Sequence, residues 1–193
     1  MLHLILSSCD FRNDHSRSCI IANLKMPLDA CKVLYIPNEK ATWEKIESGK
    51  YHDRVQQFGF RAEHIHVFNY DDPLPFADLD IDAIYVSGGN TFRQLDRIKK
   101  CGFDQAIIRY VQNGVTYIGG SAGAHLVTKN VEHVLAFDDN ATGITDFEGL
   151  GLFDGILFCH YTQARKPYYE KALAENRYKV YALSDEDSIV VDQ

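Results

Sequence analysis

Val115-Thr116-Tyr117-Ile118-Gly119-Gly120-Ser121-Ala122-Gly123-Ala124-His125-Leu126-Val127 is the stretch that decides the reading of this chain. Its first four residues are β-branched or aromatic, as in a short buried strand. Two glycines, a serine and a third glycine follow, and then a run that can wind as a helix. Gly119, Ser121 and Gly123 fit the G-x-S-x-G pattern of a nucleophile elbow. In that turn a strained serine sits between strand and helix, so small neighbours must let the backbone pass. The geometry exposes the hydroxyl and aims a helix N-terminus at any charge developing beside it. A tight strand-to-helix turn with a capping serine would produce the same string.

Working outward, strand-like runs alternate with helical patterns, which predicts a parallel α/β sheet. Met1 to Cys9 reads as a first strand, and Asp10 to Lys25 as a loop entering a helix. Lys32 to Pro37 is a second strand, and Trp43 to Phe58 carries the apolar spacing of one helix ended by Gly59. His64 to Tyr70 alternates as a third strand, and Ala83-Ile84-Tyr85-Val86 is the core of a fourth. Gly102 is placed to stop the next helix, and Phe103 to Gln112 is another helix closed by Gly114. Beyond the elbow, Val131 to Phe137 reads as a strand or hairpin arm, and Asp138-Asp139-Asn140 as a turn. Ile156 to Tyr161 is a strand with His160 at its end, Pro167 to Glu175 a helix, and Val180–Leu183 and Ser188–Val191 closing strands.

Composition narrows the classes. A length of 193 residues fits one domain with a sizeable core, and 46% hydrophobic with 24% charged residues fits a globular chain. The formal charge of −7 argues against a nucleic-acid surface or an anionic membrane as partner. No apolar run approaches the roughly 18–20 residues of a membrane-spanning helix. The first residues lack the basic start and cleavage site of a signal peptide. Five scattered cysteines without a C-x-x-C favour reduced thiols, so the expected location is cytoplasmic and no structural metal is expected.

In an open parallel sheet, ligands bind beyond the C-terminal ends of the strands. Ser121, the Ser87-Gly88-Gly89-Asn90-Thr91 loop and His160 all fall at such ends. A serine nucleophile needs a base, a group to orient the base, and donors for the oxyanion. His160 is the candidate base. The order Ser…Asp/Glu…His of α/β hydrolases directs the search for the orienting acid to the interval between Ser121 and His160. Glu132, Asp138, Asp139, Asp146, Glu148 and Asp154 lie there, and periodicity does not choose among them. The amide of Ala122, with Gly88 or Gly89, would form the oxyanion hole. Asn90 and Thr91 are candidates either to meet a ligand or to cap the following helix.

Tyr85 to Phe92, Tyr117 to Ala124, Gly149-Leu150-Gly151-Leu152-Phe153 and His160-Tyr161, in this order, resemble dipeptidase E. This is the aspartyl dipeptidase family of serine peptidases, related to cyanophycinase, and the resemblance covers nearly the whole chain. It implies a flavodoxin-like, mostly parallel sheet with helices on both faces, similar to class I glutamine amidotransferases. It also implies Ser121 as nucleophile, His160 as base, and the acid in the segment holding Asp138, with Asp139 its nearest rival. Gly88, Gly89 and Ala122 would hold the oxyanion, and Asn90, Thr91, Tyr161 and Arg165 would line the substrate site. The implied activity is hydrolysis of short peptides, chiefly dipeptides with an N-terminal acidic residue, without cofactor. The implied partner is a small peptide, and a homodimer is compatible with the sequence. The family's basic recognition side chain has no aligned counterpart among Arg165, Lys166 and Lys171. His125 stands where asparagine or a small apolar residue is commoner. Asp185-Glu186-Asp187-Ser188 resembles an acidic segment near the end of cyanophycinase-like members, and a solvated charge run before a strand explains it equally well. The alternatives are a related amide or isopeptide hydrolase, and a catalytically silent binding protein.

Overall fold

The strands at the centre of the molecule are buried at every residue: β1 (His3–Ser7), β2 (Val33–Ile36), β4 (Ala83–Val86) and β5 (Thr116–Gly120). Strands covered on both faces read as continuous apolar runs, and these runs made them legible. The computed structural model describes residues 2–192. Its main sheet has the order β3-β2-β4-β5-β1-β8, where β3 is Ile65–Val67 and β8 is Ser188–Asp192. All neighbours are parallel except β8, which runs antiparallel to β1 along the edge. The expected mostly parallel α/β sheet is therefore present.

Helices α1 (Asp14–Asn23), α3 (Lys50–Phe58), α4 (Thr91–Lys100) and α5 (Asp104–Gln112) connect these strands. The single helix expected over Trp43 to Phe58 is two, α2 (Trp43–Glu47) and α3. Gly49 at φ 77° breaks it, a left-handed conformation that glycine adopts without steric cost. Phe11 stacks on Phe58 at 4.7 Å and meets Phe60 and Tyr85 edge-on, so an aromatic cluster joins the first loop to the core.

Two regions depart from expectation. Val131 to Phe137 is not a strand: Glu132–Ala136 forms a short 3-10 helix with only Val134 fully buried. The closing strands belong to different sheets. β7 (Val180–Ala182) pairs in parallel with β6 (Ile156–Phe158) in a separate two-stranded sheet, flanked by α7 (Lys166–Glu175). Because β6 and β7 are parallel, both their C-terminal ends arrive at one place. That pairing builds the site.

Candidate active site

Ser121 lies between β5 and the short helix α6 (Ala122–Leu126) with φ 52° and ψ −113°. A non-glycine residue held there stores of order 1–3 kcal/mol of strain and persists only when its surroundings enforce it. The enforcement is visible. The Ser121 amide donates to Ser7 O at 2.9 Å, tying the turn to the end of β1. The amides of Ala124 and His125 donate to Ser121 O, and the buried Tyr117 hydroxyl donates to Gly123 O at 2.6 Å. The neighbours must also be small. A Cβ on Gly123 would lie 2.2 Å from Val86 O, and one on Gly120 would lie 2.2 Å from the Asp10 Cβ.

The Ser121 Oγ is 2.9 Å from His160 Nε2. His160 follows β6 in a left-handed conformation, φ 52°, and its amide donates to Ser8 Oγ at 3.0 Å. Ser8 Oγ donates in turn to Leu183 O, so the ends of β1, β6 and β7 are laced together. On its far side, His160 Nδ1 donates to Asp185 Oδ1 at 2.5 Å. Asp185 sits in the turn after β7, where Asp187 accepts from the amide and hydroxyl of Ser184 and Asn13 Nδ2 donates to Asp185 O. Partial burial works against the charge of Asp185. Hydrogen bonds from His160 and the Cys9 thiol outweigh it and hold the carboxyl below its usual range. Ser121, His160 and Asp185 thus form a hydrogen-bonded line.

Asp138, expected to orient His160, is elsewhere. Its Oδ2 accepts from the Thr91 amide at 2.8 Å, making it a brace for the start of α4. Asp139, its rival, pairs with Arg93. The α/β-hydrolase order Ser, Asp/Glu, His places the acid between Ser121 and His160; here the carboxylate that meets His160 comes after it, at Asp185. The only sequence signal for Asp185 was the acidic run Asp185-Glu186-Asp187 before a strand.

The residues expected to hold an oxyanion lie at different distances from Ser121. A Cβ on Gly88 would lie 3.3 Å from the Ser121 Cβ, so this loop flanks Ser121. Among the described residues, the amides of Gly88 and Ala122 donate to no protein acceptor. Gly89 lies one step further out, against Asn38 and Glu39. Thr91 does not face a ligand: it is fully buried, with Oγ1 3.0 Å from His125 Nδ1. Asn90 caps α4, accepting from the Arg93 amide and donating to Asp139 O. Arg165 donates to Cys159 O at 2.6 Å and lies over the Phe137 ring, supporting the chain just before His160 rather than reaching Ser121. Tyr161 is half-buried, and its ring meets Tyr169 edge-on.

One cation near Ser121 has no counterpart among the expected site residues. Asp10, in a short 3-10 helix after β1, is buried at φ 50°, and its amide donates to Ser7 Oγ. Its Oδ1 accepts from Arg12 Nε at 3.3 Å. The Arg12 guanidinium consequently reaches over the Gly88 loop, 2.6 Å from where a Gly88 Cβ would be. Arg12 is 61% exposed, a cation at the mouth of the site. Its place after a strand's C-terminal end was the available clue.

Beneath the site, burial pushes the pKa of His125 well below its usual value, helped by the neighbouring His133. Burial likewise brings His133 down to about 4. Both are neutral at pH 7. None of the described helices is long and apolar enough to cross a membrane.

Comparison with known proteins bears on the family and the fold. The model of peptidase family S51 matches residues 3–193. An uncharacterised peptidase of Listeria monocytogenes is 32% identical over 115 residues, covering 57% of this chain and 56% of the relative. A peptidase E of Nostoc is 27% identical over 161 residues, covering 83% of this chain and 64% of that protein. The chain spans about half the length of the curated relatives it matches. Among solved structures, a Listeria monocytogenes protein provisionally named peptidase E superposes with a TM-score of 0.74 at 24% identity, over 100% of this chain and 99% of that one. A peptidase from an acI-B1 actinobacterium gives 0.65 at 20% identity, over 99% and 83%. These two likenesses bear on the fold.

Proposed function

From its membership of peptidase family S51, to which this chain belongs, we propose a serine peptidase that hydrolyses short peptides through Ser121, His160 and Asp185. The observation that carries the reading is the 2.9 Å contact of a strained serine hydroxyl with an imidazole whose other nitrogen is held by a carboxylate. Asp185 fixes the tautomer with the proton on Nδ1, leaving Nε2 free to take the Ser121 proton. Ser121 Oγ then attacks the peptide carbonyl, and the negative charge forms where the Ala122 and Gly88 amides can donate. His160 gives its proton to the leaving amine, accepts one from water, and the acyl-serine is hydrolysed.

Arg12 supports a preference for peptides with an acidic N-terminal residue, since an exposed guanidinium beside the nucleophile can pair with a substrate carboxylate. It supplies the basic recognition group for which no downstream lysine or arginine aligned. All five cysteines are free thiols, which suits a reducing cytoplasm.

The test is hydrolysis of Asp-Leu and Ala-Leu by the wild type and Ser121→Ala. Preferential cleavage of Asp-Leu, lost in the variant, supports both mechanism and specificity. Cleavage that survives in Ser121→Ala overturns the nucleophile. A small fluorophosphonate that fails to label Ser121 in folded protein, together with no turnover, favours a binding protein instead.

A further inference from the structure

One contact beside the catalytic line has no part in the mechanism. Cys9, the residue after the Ser7-Ser8 end of β1, has its sulfur within 4.8 Å of an Asp185 carboxylate oxygen. One donor atom from each of Cys9, His160 and Asp185 lies within 4.8 Å of the others. The three come from loops after three different strands, β1, β6 and β7, and Asp185 is 59% exposed. A sulfur, an imidazole nitrogen and a carboxylate oxygen form a donor set suited to a borderline-soft divalent cation such as zinc, and a poor one for magnesium or calcium.

The spacing is close to what zinc needs. With Zn–S near 2.3 Å and Zn–N or Zn–O near 2.0–2.1 Å, tetrahedral donors stand roughly 3.2–3.7 Å apart. Widening the 2.5 Å His160–Asp185 contact by about 1 Å and drawing in the Cys9 sulfur would meet that geometry. Both movements involve side chains at a solvent-open edge, and water can take the fourth position.

We propose that Cys9, His160 and Asp185 form an inhibitory zinc site laid over the catalytic base. Zinc binds Nδ1, the nitrogen facing Asp185. The Cys9 thiol loses its proton to solvent as the Zn–S bond forms, and the His160 proton moves from Nδ1 to Nε2 through solvent. An imidazole bound to metal through Nδ1 carries its proton on Nε2, so it cannot accept one from Ser121. Asp185 is at the same time drawn from orienting the base into ligating the metal. Inhibition is thus a change of tautomer rather than a blocked pocket. This inhibitory half rests on the serine-peptidase reading; the binding half does not.

The experiment begins with Ser121→Ala, which keeps all three donors and needs no turnover. Titration calorimetry should show one zinc ion bound per chain, with Mg²⁺ giving no signal. Co²⁺ in its place should give a thiolate-to-metal charge-transfer band in the near ultraviolet. Adding Cys9→Ser should weaken zinc binding by at least tenfold and remove that band, and Asp185→Asn should weaken binding in the same direction. Binding unaffected by Cys9→Ser, or no binding by folded Ser121→Ala, overturns the site. In the wild type, zinc should suppress Asp-Leu hydrolysis reversibly, with chelator restoring it. Cys9→Ser, measured against its own metal-free rate, should require at least tenfold more zinc. Activation by zinc would overturn the inhibitory role while leaving the site. Absence of hydrolysis under every condition would count against the peptidase reading alone, because the binding arm reports separately.

Discussion

Replacing Asp185 and Asp138 separately by asparagine distinguishes the acid in contact with His160 from the one the chain order suggested. When Ser121 is deprotonated, His160 becomes an imidazolium facing Asp185, with charge centres about 4 Å apart. Such a pair is worth about 1 kcal/mol in water and about 4 kcal/mol at an effective dielectric constant near 20. Asp185 is 59% exposed and the His160 side chain 36% exposed, so the value falls between, about 2–3 kcal/mol. At 1.36 kcal/mol per factor of ten, Asp185→Asn should lower kcat by about 30- to 150-fold. KM should change little, because the charge exists only in the transition state. Asp138→Asn keeps an oxygen to accept from the Thr91 amide, so its loss should stay below about threefold. The assay is steady-state cleavage of Asp-Leu. The labelling rate of Ser121 by a small fluorophosphonate provides a check independent of peptide choice, and circular dichroism confirms folding. A larger loss from Asp138→Asn than from Asp185→Asn would refute the reasoning.

Other outcomes follow from the same contacts. Arg12→Met keeps the aliphatic stem and removes the charge. It should raise KM for Asp-Leu by about 3- to 10-fold, the modest effect of an exposed cation, and leave Ala-Leu unchanged; equal effects on both would remove Arg12 from recognition. Gly123→Ala would press a methyl against Val86 O at 2.2 Å, and urea unfolding should show a loss of about 2–3 kcal/mol; a neutral result would contradict the close approach. His125 has a folded pKa below its unfolded value near 6.5, so its stabilising contribution is complete above that value and declines as pH falls. For His133 the window runs from about 6.5 down to about 4. Between pH 7 and pH 5 the His133 window corresponds to a loss of about 2 kcal/mol, and His125 should add a loss in the same direction, read from urea unfolding at each pH. A flat profile would show that these imidazoles are solvated.

The central sheet was legible because strands buried on both faces leave continuous apolar runs, and the elbow because glycine must flank a strained serine. His160 could be placed for the same reason, at the end of the apolar run Ile156–Phe158. Local patterns could not show that β6 pairs with β7 rather than joining the main sheet, and that non-local choice brings Asp185 to His160. Thr91 was misplaced for a related reason: its hydroxyl is claimed by His125, 34 residues later, and buried with it. Arg12 went unnoticed because its position depends on the buried carboxylate of Asp10, which a linear reading places in an ordinary polar loop.

Among the described residues, four that are not glycine have positive φ, and three of them, Asp10, Ser121 and His160, lie side by side at the strand ends. In a library selected only for thermal resistance, glycine at these three positions would relieve local strain and could be enriched early. A lineage improved in that way would keep its sheet and lose its chemistry first. Positions where stability selection favours glycine and activity selection forbids it would therefore trace the outline of the proposed site without any substrate being known.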